Sequence, residues 1–224
     1  MPRPAAESAQ DYLEAIYEMA EEGIPTMQAA IARWMGVTPA SVSQAVKRLR
    51  RDGQVVSRGR QVALSEKGGV SAAKLVRRHR LAERFLIQVL GLPWHKAHEE
   101  AQAWERAISD DVEGRIVVLL DDPATCPHGN PIPGSTHAVD QSGLEPLKDC
   151  RAGDRVVLER LTEDLELDLG VMRYFEENGL MPGAEIEVSG VGPDGTMSLD
   201  VGGRRVALGE NLTDNLWVRA RAFA

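Results

Sequence analysis

Apolar Leu13, Ile16, Tyr17 and Ala20 recur at helical spacing between Ser8 and about Glu22, and Gly23-Ile24-Pro25 ends the run. Thr26 is placed to cap a second helix carrying Ala29, Ile31, Ala32, Trp34 and Met35. Gly36-Val37 then turns into Thr38-Pro39, a capping residue with proline at the first helical position, and a third helix runs to about Asp52. From Gln54 to Ser65 the pattern alternates through Val55, Val56, Val62 and Leu64 about Ser57-Arg58-Gly59-Arg60, which predicts a two-stranded hairpin. Two helices joined by a glycine turn and followed by a hairpin make a winged helix-turn-helix.

Beyond the hairpin the pattern is helical. One long helix is expected from about Glu66 to Leu90, a second from about His95 to Ser109, and a third from near Asp110 to before Asp122-Pro123. Leu81, Phe85, Leu86, Val89 and Leu90 share one side of the first, which suits a core or a dimer interface. After Pro133 the composition shifts to Gly, Ser, Thr and Pro, as in a linker. Short strands are then expected at Asp154 to Leu161, Ala184 to Val191, Met197 to Val201, Arg204 to Leu208 and Leu216 to Arg219. With a helical segment near Leu169 to Asn178, they read as a small β-barrel. The fold class is mainly α with a small β part.

Charge sharpens this reading. The chain of 224 residues is 43% apolar and carries a formal charge of -8, so it does not coat nucleic acid over its whole surface. Between Lys47 and Arg60, however, six basic residues stand against Asp52 alone, a local net of +5, while acidic residues gather from Glu159 to Glu177. A compact basic patch on an acidic protein fits a sequence-specific binder of double-stranded DNA. Thr38, Pro39, Ser41, Ser43 and Gln44 open the third helix with short polar side chains at base-edge positions. Lys47, Arg48, Arg51, Arg58 and Arg60 are placed for phosphate. The competing reading is a winged helix that contacts protein only. The N-terminus has no apolar signal-peptide core and no stretch reaches the roughly 18 apolar residues of a membrane span, so a cytoplasmic protein without a membrane partner is expected.

Candidate chemistry lies in Cys126-Pro-His128-Gly-Asn-Pro-Ile-Pro-Gly134, where a thiol and an imidazole stand one residue apart in a rigid loop. In a reducing compartment Cys126 and Cys150 read as ligand or free thiol rather than as a disulfide. His79 and Glu83 are four apart and share a helical face, and His98 opens another helical run. Alone, His79 and Glu83 are as readily a solvated surface pair. Together with His98, Cys126 and His128 they suit a first-row divalent metal, the thiolate favouring zinc or iron and the carboxylate manganese. Asp11 and Glu14, with Gln102 and Glu105, form a weaker constellation of the kind usually just solvated. A metal-dependent hydrolase finds no positioned general base or oxyanion group, so no enzyme is expected.

Four motifs, Asp11-Tyr-Leu-Glu-Ala-Ile-Tyr17, Thr38-Pro-Ala-Ser-Val-Ser-Gln44, His79-Arg-Leu-Ala-Glu-Arg84 and Gly129-Asn-Pro-Ile-Pro-Gly134, occur in an order that resembles the diphtheria-toxin-repressor family of metal-dependent transcriptional regulators. The resemblance implies a winged helix-turn-helix domain over 1–73, a helical dimerisation and metal-binding domain over 74–134, a linker over 135–147 and an SH3-like domain, similar to ferrous-transport protein A, over 148–224. It implies a homodimer on a palindromic operator that represses metal-uptake genes. One metal site falls on His79, Glu83 and His98, joined by Cys126 and His128 as in the manganese branch and by Asp168 from the tail. The other family site falls on Asp11, Gln102, Glu105 and Arg106. Arginine offers no lone pair to a metal. Either that site is weak and oxygen-rich, the reading preferred here, or Arg106 replaces the ion by pairing with Glu105 or Asp11. The expected cofactor is a divalent metal, manganese before iron, with zinc able to bind in vitro. The alternative is a constitutive, metal-independent regulator with a vestigial site.

Overall fold

The computed structural model describes residues 8–221. The first seven residues of the expected DNA-binding domain, with that part of the argument against a signal peptide, lie outside the described residues, as do the last three of the tail. Helix α1 (Ala9–Glu21) opens on a reciprocal cap: Ser8 Oγ accepts from the Asp11 amide and Asp11 Oδ2 accepts from the Ser8 amide at 2.9 Å. Helices α2 (Gln28–Met35) and α3 (Pro39–Arg51) follow, joined through Gly36 in the left-handed conformation. Thr38 Oγ1 accepts from the Ser41 amide at 3.1 Å, so the cap read from the sequence is the one that forms. Thr26 is not a cap. Met27 takes the cap position, bridging to Gln61, and the Thr26 carbonyl accepts from the Val62 amide at 2.9 Å, which ties this connection to the wing. The wing is the antiparallel pair β1 (Val55–Arg58) and β2 (Gln61–Leu64), and Leu13, Ile16, Ile31, Val42 and Leu49 fill the core of the reading head.

Helix α4 (Glu66–Gln88) is 23 residues long, about 34 Å at the α-helical rise. A division at 73/74 therefore falls inside a continuous helix, and the reading head shares its last element with the middle of the molecule. Its first turn is pressed against the wing: a Cβ added to Gly68 would lie 1.9 Å from the Gln54 carbonyl oxygen. The helix expected from His95 to Ser109 is instead a 3-10 turn at Trp94–Lys96 and a short α5 (Ala97–Trp104), before α6 (Asp110–Leu119). Leu81, Leu86, Ala101, Ile108, Ile116 and Ile132 pack between them, while Val89 and Leu90 lie beyond the end of α4 and are exposed.

Among the described residues the tail forms a six-stranded antiparallel sheet of order β3-β8-β4-β5-β6-β7, with β3 (Leu144–Pro146), β4 (Arg155–Leu161), β5 (Glu185–Val191), β6 (Met197–Val201), β7 (Arg204–Leu208) and β8 (Leu216–Ala220). The strand β3 lies in the segment read as linker, where Leu144 to Pro146 pair with β8. Helix α8 (Leu169–Asn178) stands where the periodicity places it, and the short helices α7 (Glu163–Glu166) and α9 (Glu210–Thr213) are additions the pattern does not show.

Three features fix the sheet domain against the helices. Trp94 buries its indole in the barrel core and donates from Nε1 to the Pro127 carbonyl at 3.1 Å. The amides of Trp94 and His95 both donate to Glu176 of α8. Finally, the loop from Cys126 lies directly on β4, with the Leu161 amide donating to the His128 carbonyl at 2.9 Å. Gly129 makes that approach possible: its φ is +92°, and an added Cβ would sit 2.0 Å from the Glu159 carbonyl oxygen and 2.6 Å from Arg160 Cα. A bulge at the same place, between Leu158 and Arg160, sends Leu161 into the barrel core and leaves Arg160 free to turn toward the helices.

Gly129→Ala is expected to push the barrel away from the loop, lowering stability by about 1–3 kcal/mol through backbone strain alone and further through the clash. Gly153→Ala, at φ +96° with open space around it, isolates the strain. Thermal unfolding of the two variants measures the difference, and equal losses would show that the close approach carries no weight.

Candidate metal centre and nucleic-acid interface

Helix α4 places His79 and Glu83 on one face, α5 supplies His98 from its first turn, the rigid loop supplies Cys126 and His128, and α7 brings Glu163 and Glu166. All seven side chains are buried. His79 Nε2 stands 3.1 Å from His98 Nδ1 and 3.3 Å from Glu83 Oε1. Glu83 Oε1 lies 3.2 Å from His128 Nδ1, and Glu166 Oε2 lies 3.2 Å from His98 Nδ1 and 2.7 Å from His128 Nδ1. The 2.7 Å approach lacks the angles of a hydrogen bond: His128 Nδ1, Glu166 Oε2 and Glu83 Oε2 are buried with no hydrogen-bond partner among the described residues. Buried polar atoms left without a hydrogen bond are costly in a folded protein and call for an explanation such as a bound ion.

The outer contacts orient these groups. His79 Nδ1 is 2.8 Å from Glu105 Oε2, which fixes a proton on Nδ1 and turns the Nε2 lone pair inward. His98 Nε2 meets the Gln102 amide at 3.1 Å, leaving Nδ1 to the centre. The His128 ring stands edge-on to Trp94 at 4.7 Å between centroids. Three subsets, His79-Glu83-His98, Glu83-Cys126-His128 and His98-Glu163-Glu166, each bring their ligand atoms within 4.8 Å of one another. Imidazole nitrogens, carboxylate oxygens and one sulfur are a donor set for a first-row divalent ion.

Electrostatics follow from crowding these charges away from water. Burial disfavours the imidazolium forms, yet the carboxylates outweigh it: Glu83 and Glu105 hold His79, and Glu166 and Glu83 hold His128, well above the ordinary histidine range. Burial likewise opposes charge on His98, but Glu166 and Glu83 raise it to about 9. Burial would raise Glu83, but His128 and His79 keep it well below the usual carboxylate range. Burial, with Glu83 alongside, pushes the Cys126 thiol up to about 12.

Five of the residues expected to hold metal, His79, Glu83, His98, Cys126 and His128, are thus gathered at one place. Asp168 is not among them. It is exposed and caps α8, its Oδ1 accepting from the amides of Gly170 and Val171 at 2.9 and 3.1 Å; the carboxylates that reach the centre are Glu163 and Glu166. The preferred oxygen-rich site on Asp11, Gln102 and Glu105 does not form either. The Arg106 guanidinium pairs with Asp11 and stands 3.6 Å from Glu105 Oε1, while Gln102 and Glu105 turn to His98 and His79. A fixed cation, the Arg106 guanidinium, sits among these carboxylates. Glu14, close by and buried among Glu18 and Glu105, is raised to about 8, first by desolvation and then by those carboxylates. Glu163 and Glu166 were hidden in the acidic run that the sequence presents as solvated. Their only local signal is the i,i+3 spacing around buried Leu165.

In the reading head, Thr38, Pro39, Ser41, Gln44, Lys47, Arg48 and Arg51 are exposed at and along α3 and Ser43 is half-buried. The Thr38 and Ser41 hydroxyls meet at 2.8 Å. Arg58 and Arg60 flank the exposed tip of the wing at Gly59. Arg50 donates to Ser57 Oγ at 2.5 Å and so sets the wing against α3, a positioning role the charge count did not reveal. Among the described residues no helix is long and apolar enough to cross a membrane. Cys126 and Cys150 are both buried free thiols.

Comparison with known proteins points the same way. Residues 5–63 match the family described as iron dependent repressor, N-terminal DNA binding domain, residues 65–134 its metal binding and dimerisation domain, and residues 145–220 the FeoA domain. The chain is 38% identical over 212 residues to the iron-dependent repressor IdeR of Mycobacterium tuberculosis, covering 90% of each chain. It is 37% identical over 209 residues to the diphtheria toxin repressor of Corynebacterium efficiens, again covering 90% of each. A manganese-dependent transcriptional repressor solved in complex with manganese superposes with a TM-score of 0.83 at 31% identity, over 96% of this chain and 100% of that one. ScaR with bound zinc gives 0.78 at 28% identity, over 96% and 100%.

Metal binding must release protons here, because imidazolium cannot ligate. Uptake is therefore expected to strengthen as pH rises from 6.5 toward 9, the ordinary and raised values for His98, with proton release seen by titration calorimetry in buffers of different ionisation enthalpy. The metal-free protein runs the other way. A raised histidine stabilises the fold fully below its unfolded value and loses that contribution as pH climbs through the folded one, so the melting temperature of chelator-treated protein should fall across the same window. A heat of binding independent of buffer would contradict the protonated centre.

Proposed function

Because this chain belongs to the iron-dependent repressor family typified by the diphtheria toxin repressor and IdeR, we propose that it is a homodimeric transcriptional repressor of metal homeostasis. In this reading a divalent cation held by His79, Glu83, His98, Cys126, His128, Glu163 and Glu166 enables operator binding. The observation that carries this is the crowding of buried ligand atoms from His79, Glu83, His98, Cys126, His128, Glu163 and Glu166, with polar atoms of Glu83, Glu166 and His128 left without a hydrogen-bond partner among the described residues. The bound ion would supply positive charge that no side chain at the centre offers without a proton. The residues supply orientation: Glu105 and Gln102 set the two histidine rings, and Gly129 lets the loop meet the barrel so that α7 can complete the set.

Manganese is the favoured ion and ferrous iron the next. Nitrogen and carboxylate donors outnumber the single sulfur, which suits ions harder than zinc, although zinc would bind in vitro. At Asp11 and Glu105 the Arg106 guanidinium already supplies one positive charge, which weakens the case for a second ion there. The operator is double-stranded and palindromic, read by Gln44, Ser41, Ser43 and Thr38 with Pro39 starting the helix. Lys47, Arg48, Arg51, Arg58 and Arg60 lie along phosphate.

A second copy covers the face of α6 and the end of α4. Val118 and Leu119 are 80% and 60% exposed, and a groove of about 340 Å³ between Phe85, Trp104, Val112, Ile116 and Leu119 is almost wholly apolar. Such a surface is unfavourable in a monomer.

Fluorescence anisotropy on duplex from the gene's own upstream region, with chelator-treated protein titrated by manganese, anaerobic ferrous iron and zinc, tests the switch. Binding is expected only with metal, and Glu83→Ala should shift the metal midpoint at least about 100-fold, the upper range for even indirect ligand partners. Tight operator binding indifferent to metal would leave a constitutive regulator with a vestigial centre. Leu119→Glu is expected to yield monomers in sedimentation and to weaken operator binding about 10-fold or more, as a half-site reader loses its linked partner. A dimer that survives this change would refute the assigned face.

A further inference from the structure

Two lines of buried side chains leave the metal centre and end on adjacent residues at the C-terminus of α1. Glu166, which turns Oε2 to His98 and His128, accepts through Oε1 from Asn130 Nδ2 at 2.8 Å. Asn130 Oδ1 accepts from Arg160 Nη1 at 3.0 Å, and the two terminal nitrogens of Arg160 donate to the two oxygens of Glu22 at 2.9 and 3.0 Å. In the second line Glu163 Oε1 accepts from Arg80 Nε and Nη2 at 3.1 and 2.6 Å, and Arg80 passes on to both oxygens of Glu21 at 3.2 and 2.5 Å. Arg80 and Asn130 have no exposed surface, and Arg160, Glu163 and Glu166 almost none.

We propose that these two lines form a relay in which the carboxylates of Glu163 and Glu166, oriented by the cation on one side, grip Glu21 and Glu22 through Arg80 and through Asn130 and Arg160 on the other, so that metal occupancy sets how the reading head is held. The inference rests on the metal-dependent function proposed above. Each of these two carboxylates faces the centre and a relay partner at once, so fixing it for one contact fixes it for the other. Buried charge-assisted hydrogen bonds are directional and expensive to break singly, which makes such a chain stiff. Arg160 is held further by the Trp217 ring, 5.0 Å beneath its guanidinium. The gripped pair directly precedes Gly23, at φ +70°, where the chain leaves α1 for the helix-turn-helix. The grip is therefore applied at the base of the head rather than to the DNA-reading surface itself.

Coupling between two ligands is reciprocal: if manganese raises operator affinity by some factor, operator raises manganese affinity by the same factor. The relay therefore predicts a change in that factor and not only in either affinity. Manganese affinity is measured with and without operator duplex in the full-length protein, in Glu22→Gln, in Glu21→Gln and, as a control outside the relay, in Glu113→Gln, which alters the pairs with Arg77 and Arg78. Coupling of about 5–150-fold, the usual range for allosteric proteins, is expected in the unmodified protein and the control, falling toward one in the two relay variants. Hydrogen exchange on metal-free protein gives a readout independent of loading: the amides of the last turn of α1 should exchange faster in both relay variants. If Glu22→Gln fails to fold, Glu21→Gln, whose side chain is 17% exposed, carries the test. A merely structural role would weaken operator binding equally with and without metal, and a factor unchanged in the folded variants overturns the relay. A factor of one in the unmodified protein overturns the proposed function and the relay with it.

Discussion

Arg80 has none of its surface in water, and its guanidinium must be matched by carboxylates from wherever the fold can bring them. Burial works against its charge, yet Glu163 and Glu21 hold it well above even the usual arginine range. These partners come from the barrel and from the reading head, while Arg80 itself sits on α4. The three parts of the molecule are therefore not independent bodies with adjoining surfaces. Separating any one leaves a buried charge without its counter-charge, a larger penalty than the net value of the pair when formed. Arg160 repeats the arrangement from the barrel side with Glu22 and Asn130. What apolar packing gives each part internally, these ionic contacts give to their relative placement, and specificity of arrangement is the better attested use of buried charge.

The metal centre inherits this logic. It is built at the junction where α4, α5, the Cys126 loop and α7 meet, so its completeness reports on whether the parts are assembled. The interface of α1 with the end of α5 is handled differently. There the neighbouring carboxylates Asp11, Glu14 and Glu105 meet a guanidinium that the chain supplies itself. The first junction gathers side chains able to ligate a metal, while the second carries a cation of its own. This is a departure from the two-ion pattern that the resemblance implies, and it follows from one residue, Arg106.

Features written locally were legible in the sequence. The Thr38-Pro39 cap, the wing and the spacing of His79 and Glu83 depend on neighbours within about nine residues, and each appears as the pattern predicts. Thr26 was misread because a tertiary contact, its carbonyl to the Val62 amide, overrides the local capping preference. The strand Leu144–Pro146 looks like linker because three residues have too short a pattern, and only pairing with β8 defines them. Glu163 and Glu166 were the costliest omission. Acidic residues in an acidic run read as solvated, and nothing nearby in sequence discloses that Arg80 and His98 bury them. Asp168 stood close to the right place but is held by the start of α8. Trp94 was equally silent: its indole is core to a domain that begins some fifty residues later.

The order of the ligands along the chain also has a meaning in time. The winged head draws on residues up to the first turns of α4, around Ala72, whereas the last carboxylate of the centre, Glu166, lies about 90 residues further on, some 5–20 s at ordinary rates of synthesis. The residues of the DNA reader are therefore synthesised well before those that finish the centre. Until α7 is made, Arg80 and Glu21 have no Glu163 to complete their contact, and the head is held by its shared helix and by the pair of Asp11 with Arg106. The centre is finished by two glutamates in the early part of the last domain, so a chain that stops short of them has the reading head without the full set of ligands.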